Sequence, residues 1–476
     1  MTDFDIREQQ FEKDIESSLI TSGGYVKGDP KKFDRKLALD VDTFLAFIKS
    51  SQPKEWKRFE KVYGSDSEKQ LIDRFCREIS TSGLLRILRS GFIDRGIKFR
   101  AIFWKPETGL NLNTIEQYNA NIFQCTRQLR YSTQNENSID IVLFVNGIPI
   151  VSMELKCQFT GQDTTNAIAQ YKFNRASKDA IFEFNRRVLV HFAVDLSKVY
   201  MTTKLQGSAT YFLPFNQGSN GAGNVGGGGN PKNDTGYETA YLWEEVLHKD
   251  RLLEILQKYM HLDIKQSKGE KASNATMIFP RYHQLDVVTK LLSDVKEHGS
   301  GRNYLIQHSA GSGKSNSIAW LAHRLCTVHN AYNESIFNSI IVVTDRRVLD
   351  SQLQDTIYQF DHVEGVVQKI KKSVELKDAI NSGARIIITT LQKFPIIFKA
   401  VRSENKKFAV IIDEAHSSHS GDAAKKLKYA LADTEKALAE YAELEYENEQ
   451  TLEYEQDKIL DELLSHGQHD NLSFFA

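Results

Sequence analysis

The sequence predicts an α/β protein made of two successive parts, the second with a mostly parallel sheet. Three observations lead there. The span 128–156 is the richest in strand-forming residues and is broken by Asn146-Gly147, a strong hairpin signal. From about residue 279, short β-branched or aromatic runs at 304–307, 339–344, 385–389 and 408–412 alternate with helical stretches. That alternation predicts strands side by side with helices on both faces. Between these regions lies a glycine-rich stretch through Gly226–Gly229, which cannot bury a core and reads as a long surface loop. The chain is accordingly divided into domains 1–250 and 251–476.

Within the first part, Phe11 to Ile20 spaces apolar residues as a helix does. The span 242–262 also reads as helix, with apolar spacing around Leu252, Leu253, Ile255 and Leu256. In the second part an acidic, Ala/Leu/Glu-rich helical insertion is expected at about 425–466. Residues 433–462 hold twelve Asp or Glu against two Lys, a local charge of −10 within a chain of net −1. The rest is therefore mildly basic, at +9, which permits nucleic-acid binding without requiring it. The acidic segment itself reads as a solvated helical hairpin.

Hydrophobic residues make up 41% and charged residues 26%, ordinary for a globular protein. No apolar run of about 18 residues suggests a membrane span, and the polar, acidic start is unlike a secretory signal. Cys76, Cys125, Cys157 and Cys326 lie far apart, so no zinc pair or disulfide framework is written, and a reducing cytoplasm fits.

Two constellations carry chemistry. His308-Ser-Ala-Gly-Ser-Gly-Lys-Ser315 follows a predicted strand and opens a predicted helix. It matches the phosphate-cradling loop except that His308 stands where glycine is usual. Gly311, Ser312 and Gly313 should turn backbone N–H groups toward phosphate oxygens. Lys314 should reach the β- and γ-phosphates of ATP, and Ser315 should bind Mg²⁺. About 100 residues on, an apolar strand ends in Asp413-Glu414. Asp413 should hold the Mg²⁺ and Glu414 should orient the attacking water.

The second constellation is Asp140 with Glu154-Leu-Lys156. Glu154 and Lys156 share one strand face. A strict two-residue turn would pair Asp140 with Met153 and send it to the other face. A three-residue loop with a glycine bulge would bring it alongside Glu154, and the bulged form is the expectation, since paired carboxylates could then hold a hard divalent cation such as Mg²⁺. Lys156 would position water or stabilise developing charge. Glu12 or Glu16 could add a carboxylate from the first helix. The residues alone are also compatible with an exposed polar strip on a sheet.

With Asp413-Glu414-Ala-His416 the second part resembles the superfamily 2 helicases and translocases. The resemblance implies a RecA-like P-loop domain. It implies that Gln284 reads the adenine edge with Arg281 nearby, and that 342–352 and 388–392 touch DNA phosphates. The first part resembles the PD-(D/E)xK nucleases, with Ile139 where proline is frequent. Gln170 and Tyr171 are adjacent, so that family's Gln-x-x-x-Tyr element is not matched. Nuclease before motor, together with Phe212-Leu-Pro-Phe-Asn-Gln-Gly and the glycine loop, resembles the R subunits of type I restriction enzymes. That resemblance implies ATP-driven movement along double-stranded DNA coupled to Mg²⁺-dependent cleavage. It also implies modification (M) and specificity (S) subunits as partners, the former binding S-adenosylmethionine. In such motors a Thr-Ala-Thr motif and a second motor domain follow, so this chain is expected to bind nucleotide but turn it over poorly. The alternatives are a repair helicase whose dead nuclease clamps DNA, and a non-catalytic, nucleotide-gated docking module.

Overall fold

The computed structural model describes residues 3–107, 111–264, 275–309 and 311–344, with shorter stretches at 353–354, 356–358, 366–369, 379, 383–390, 406–413 and 471–476. The acidic insertion, residues 345–352 and residues 391–392 lie outside them. The chain forms two compact units, Met1–His283 and Gln284–Ala476. The boundary falls later than residue 250 because the segment after it is tied into the first unit. Lys249 N–H donates to Gly23 O at 3.0 Å, and Thr203 Oγ1 donates to Met277 O at 2.7 Å.

The first unit opens with helix α1 (Asp3–Thr21). Phe11, Ile15 and Leu19 recur every four residues and are buried to 1% exposure or less, the apolar stripe that a surface helix packs inward. A seven-stranded mixed sheet follows. Its strands are β1 (Val26–Lys27), β2 (Phe123–Arg130), β3 (Ser138–Val145), β4 (Ile148–Leu155), β5 (Val190–Val194), β6 (Val199–Thr202) and β7 (Leu213–Pro214), in that spatial order. β1 runs parallel to β2, and β4 parallel to β5, while the other neighbours are antiparallel. β3 and β4 are the centre of the sheet. Every residue of β4 is buried, as expected for a strand covered on both faces.

The β3–β4 connection corrects the expected three-residue loop. Val145 pairs with Ile148 across a two-residue turn. Asn146 and Gly147 sit at φ +54° and +77°, the left-handed pair that such hairpins require. A Cβ on Gly147 would lie 2.3 Å from Asp40 O, so only glycine fits. The bulge exists, but it lies inside β4. Phe144 pairs with Pro149, and then the register shifts, so that Leu143 pairs with Val151 and Ile141 with Met153. Ile150 is the extra residue. Pro149 has no N–H to give to the ladder, which makes this the natural place for the irregularity.

The span 242–262 is not one helix. It breaks into a π-helix (Leu242–Val246), a short α-helix (Lys249–Glu254) and a second π-helix (Ile255–Tyr259). His261–Ile264 then pairs as a strand with Ala275–Ile278. His248 accepts from Asp250 N–H and starts the middle piece. The Arg89 guanidinium donates to Leu256 O at 2.7 Å and also to Met260 O, which stops the last one. Apolar periodicity alone cannot register those long-range carbonyl partners.

Among the described residues the second unit holds a five-stranded parallel sheet. Its strands are β8 (Ser339–Thr344), β9 (Val367–Lys369), β10 (Ile386–Thr390), β11 (Phe408–Ile412) and β12 (Leu472–Phe475), in the order β9-β10-β8-β11-β12. Three of the four predicted strands appear as such. In the fourth, at 304–307, Tyr304 bridges Phe475 and Ile306 N–H donates to Ala476 O at 2.7 Å, continuing the parallel pairing. Among the described residues no helix is long and apolar enough to cross a membrane. All four cysteines are free thiols.

Candidate active site

The shifted register in β4 sets the geometry of the first constellation. Beyond Ile141–Met153, the next residues in register are Asp140 and Glu154, so both project from one face. Leu155 N–H donates to Asp140 Oδ2 at 2.7 Å. Glu154 is fully buried. Its Oε1 accepts from Arg175 Nε at 2.7 Å, whereas its Oε2 has no hydrogen-bond partner. Burial, and next the charge of Asp140, push the Glu154 carboxyl up to about 8, against the pull of Arg175. Lys156 lies two residues on, and its Nζ donates to Glu8 Oε1 at 2.9 Å. Burial pulls the Lys156 value down, but Asp140, Glu8 and Glu154 together outweigh it and raise it, so the ammonium stays charged.

Helix α1 supplies the opposite wall. Glu8, Glu12 and Glu16 recur every four residues and so share one helix face. Glu12 is 2% exposed. Its Oε1 accepts from Gln128 Nε2 at 2.8 Å and its Oε2 from Arg127 Nε at 3.2 Å. Gln128 Nε2 also donates to Asp140 Oδ1 at 3.2 Å, so one amide nitrogen holds both carboxylates. Burial, then Asp140, raise Glu12 to about 7. Glu16 turns away to Arg127 and Lys27. Gln128 achieves its bridge at φ +49°, a left-handed conformation that costs a non-glycine residue about 1–3 kcal/mol.

Sequence reading missed Arg175, Gln128 and Glu8. The four-residue recurrence of Glu8, Glu12 and Glu16 was a legible signal. Nothing local marked Arg175 or Gln128. Tyr171 is wholly buried, with its hydroxyl 2.8 Å from Ser152 Oγ, which in turn lies 2.8 Å from His191 Nδ1. Burial lowers His191 to about 3, so it is neutral. Gln170 is half-buried.

In the second unit, Gly311 and Gly313 adopt φ +72° and +86°, and Gly313 starts helix α2 (Lys314–Cys326). Ser312 lies in the loop and Ser315 in the first turn of that helix. His308 does not break the loop, since its Nδ1 lies 3.2 Å from Ser312 Oγ. Gln284 Nε2 donates to Ser312 O at 3.2 Å and Gly313 O at 2.9 Å, gripping the loop from beneath. Lys314 and Asp413 line one cavity of about 490 Å³, with Val287, Leu291, Ser317 and Ile411. Asp413 follows β11, where its N–H donates to Val343 O at 3.0 Å. Arg281 is half-buried at the end of the first unit, and Glu414 lies outside the described residues.

Comparison with known proteins agrees with both halves. Residues 5–210 match the family described as type I restriction enzyme R protein N terminus. Residues 283–437 match the SWI2/SNF2 ATPase family. The chain is similar to a protein of Methanocaldococcus jannaschii, provisionally assigned as the type I restriction enzyme MjaVIIIP endonuclease subunit. The two are 24% identical over 78% of this chain and 36% of that one. It is also similar to the type I restriction enzyme HindI endonuclease subunit of Haemophilus influenzae, 25% identical over 66% of this chain and 29% of that one. The SauMSSORF170P endonuclease subunit of Staphylococcus aureus is 22% identical over 67% and 31%. The chain thus spans about a third of the length of these curated relatives. On these matches the chain joins a domain like the type I restriction enzyme R protein N terminus, over residues 5–210, to a SWI2/SNF2-type ATPase domain, over residues 283–437.

Proposed function

We propose that the first unit is a Mg²⁺-dependent nuclease cutting double-stranded DNA, and that the second is an ATP-driven motor moving along the same duplex. Both would act in a cytoplasmic assembly with modification (M) and specificity (S) subunits, the M subunit binding S-adenosylmethionine. One observation supports the cutting activity above the rest. Asp140 and Glu154 stand side by side on neighbouring strands, next to a charged Lys156, and one buried Glu154 oxygen is left without a partner.

The described residues contain no group of three or more His, Cys, Asp or Glu already placed to hold a metal. Two carboxylates with retained waters still suit Mg²⁺, which keeps much of its hydration. The unsatisfied Oε2, and the Glu154 and Glu12 carboxyls pushed upward by burial and next by the charge of Asp140, are what such a cation would relieve. Asp140 and Glu154 would hold it, with Glu12 beside them. Bound there, it would offset charge on the scissile phosphate and ease deprotonation of a water. Lys156, steadied by Glu8 and kept protonated, would hold that water or the phosphate oxygen in place. In the second unit, Gly311, Ser312 and Gly313 would cradle phosphates. Lys314 would meet the β- and γ-phosphates of ATP, and Ser315 and Asp413 would hold its Mg²⁺. Glu414 would orient water, with Gln284 at the adenine.

The test is plasmid cleavage by the chain assembled with M and S subunits. Asp140→Ala, Glu154→Ala and Lys156→Ala should each lower cleavage at least a hundredfold while leaving ATP binding intact. An Asp140→Ala protein that cuts as fast as the parent overturns the nuclease assignment.

A further inference from the structure

Buried ion pairs are not, in general, a source of stability, because both charges lose their hydration. One sits at the centre of the first unit and asks for another reason. Arg175, 5% exposed, makes three contacts. Its Nε donates to Glu154 Oε1 at 2.7 Å, its Nη2 to Ser138 O at 2.6 Å, and its Nη1 to the Tyr131 hydroxyl at 3.4 Å. The guanidinium also lies over the Tyr131 ring, 5.4 Å from its centroid. These contacts join the start of β3 and the end of β4, which carry Asp140 and Glu154, to the segment after β2.

The residue reaches this place through an irregular helix. Helix Thr164–Ala169 continues as a π-helix, Gln170–Asn174, with Arg175 as its C-cap. Single π turns insert one residue and recur at functional sites. Tyr171 and Arg175 are four apart, so both face the sheet. Tyr171 grips Ser152 and Arg175 grips Glu154. Ser152 and Glu154 are two apart on one strand face. One turn of helix therefore clamps two successive inward-facing positions of β4.

We propose that Arg175 is a positioning residue for the cleavage centre: it fixes Glu154 through one oxygen so that the other is presented, alone, beside Asp140. Arg175 is also held by Ser138 O and the Tyr131 hydroxyl, so its fork stays fixed on Glu154 Oε1 while Oε2 has no hydrogen-bond partner. A planar fork with several fixed donors can impose this orientation, whereas a lysine, with one mobile ammonium, cannot. The inference rests on the nuclease reading above.

The experiment measures direct binding of Mn²⁺, by electron paramagnetic resonance and calorimetry, to the nucleotide-free 476-residue chain. Wild type, Asp140→Ala, Glu154→Gln, Arg175→Met, Arg175→Lys and the Arg175→Met/Glu154→Gln double variant are compared. Circular dichroism checks folding. Partners that orient a ligand typically cost ten- to a hundredfold in metal affinity when removed. Arg175→Met should therefore weaken the Asp140-dependent site about tenfold or more, with Arg175→Lys between it and wild type. In the Glu154→Gln background, Arg175→Met should have almost no further effect, because the arginine acts through that carboxylate. Mn²⁺ affinity unchanged in Arg175→Met overturns the proposal. If Arg175→Met fails to fold, Arg175→Lys decides, and wild-type affinity there overturns it equally. Absence of any Asp140-dependent Mn²⁺ site in wild type is a different result. It removes the nuclease reading, and the positioning role with it.

Discussion

At the scale of single residues, the informative group is a carboxyl placed where no water reaches it. Glu154 is held up at about 8 by burial, then by Asp140, with Arg175 and Lys156 opposing. In the metal-free protein burial favours the protonated carboxyl as pH falls, and a cation must displace that proton. Mn²⁺ affinity should therefore climb between pH 6 and 8 and level off above. Calorimetry in buffers of different ionisation enthalpy should register proton release, and a flat affinity across that range would contradict the assignment. The sign for stability is the reverse. The folded value is raised above the ordinary 4.5, so this group favours the metal-free fold at low pH, and that contribution is lost as pH rises through about 8. Lys156 differs because three carboxylates outweigh its burial.

At the scale of elements, one extra residue decides what the β3–β4 hairpin can do. Side chains alternate faces along a strand, so a one-residue slip exchanges them all. With Asn146-Gly147 as a two-residue turn, unbroken pairing would set Asp140 against Met153. Ile150 absorbs the difference. Deleting Ile150 should remove the bulge, let Leu143 pair with Val151 in unbroken register and keep Asp140 opposite Glu154, so Asp140-dependent Mn²⁺ binding should survive in a variant that circular dichroism shows to be folded. Loss of binding in that folded deletion would mean the register does not govern the site. The hairpin, the shared face of Glu154 and Lys156, and α1 were all legible, since they follow from turn chemistry and local periodicity. The position of the bulge was not. It depends on Pro149 lacking an N–H and on β4 packing between two neighbours, and a search limited to turn types does not weigh that. The segment 242–262 failed for a related reason: its apolar spacing is helical throughout, but the Arg89 contacts and the pairing of His261–Ile264 with Ala275–Ile278 override it.

At the scale of the whole molecule, the two proposed chemistries fall in two units with separate residues. Lys314→Ala should lower ATP affinity at least tenfold, as read by a fluorescent nucleotide, and leave Mn²⁺ binding by the first unit unchanged within a factor of two. A parallel loss of both would show that the nucleotide loop supports the cation site. The alternation of strand and helix after residue 279 led correctly to a parallel sheet, because a parallel neighbour demands a crossover long enough to hold a helix.

The sequence by itself determined which side chains are available: the glycines and lysine of the phosphate loop, the aspartate closing β11, and two carboxylates and a lysine around a hairpin. These are visible because backbone turns and face periodicity are local properties. Only the tertiary structure decided which of them meet. Arg175 reaches Glu154 across 21 positions and Glu12 joins Gln128 across 116. Such contacts depend on how a helix end and a strand register come together, and no short window of sequence encodes that.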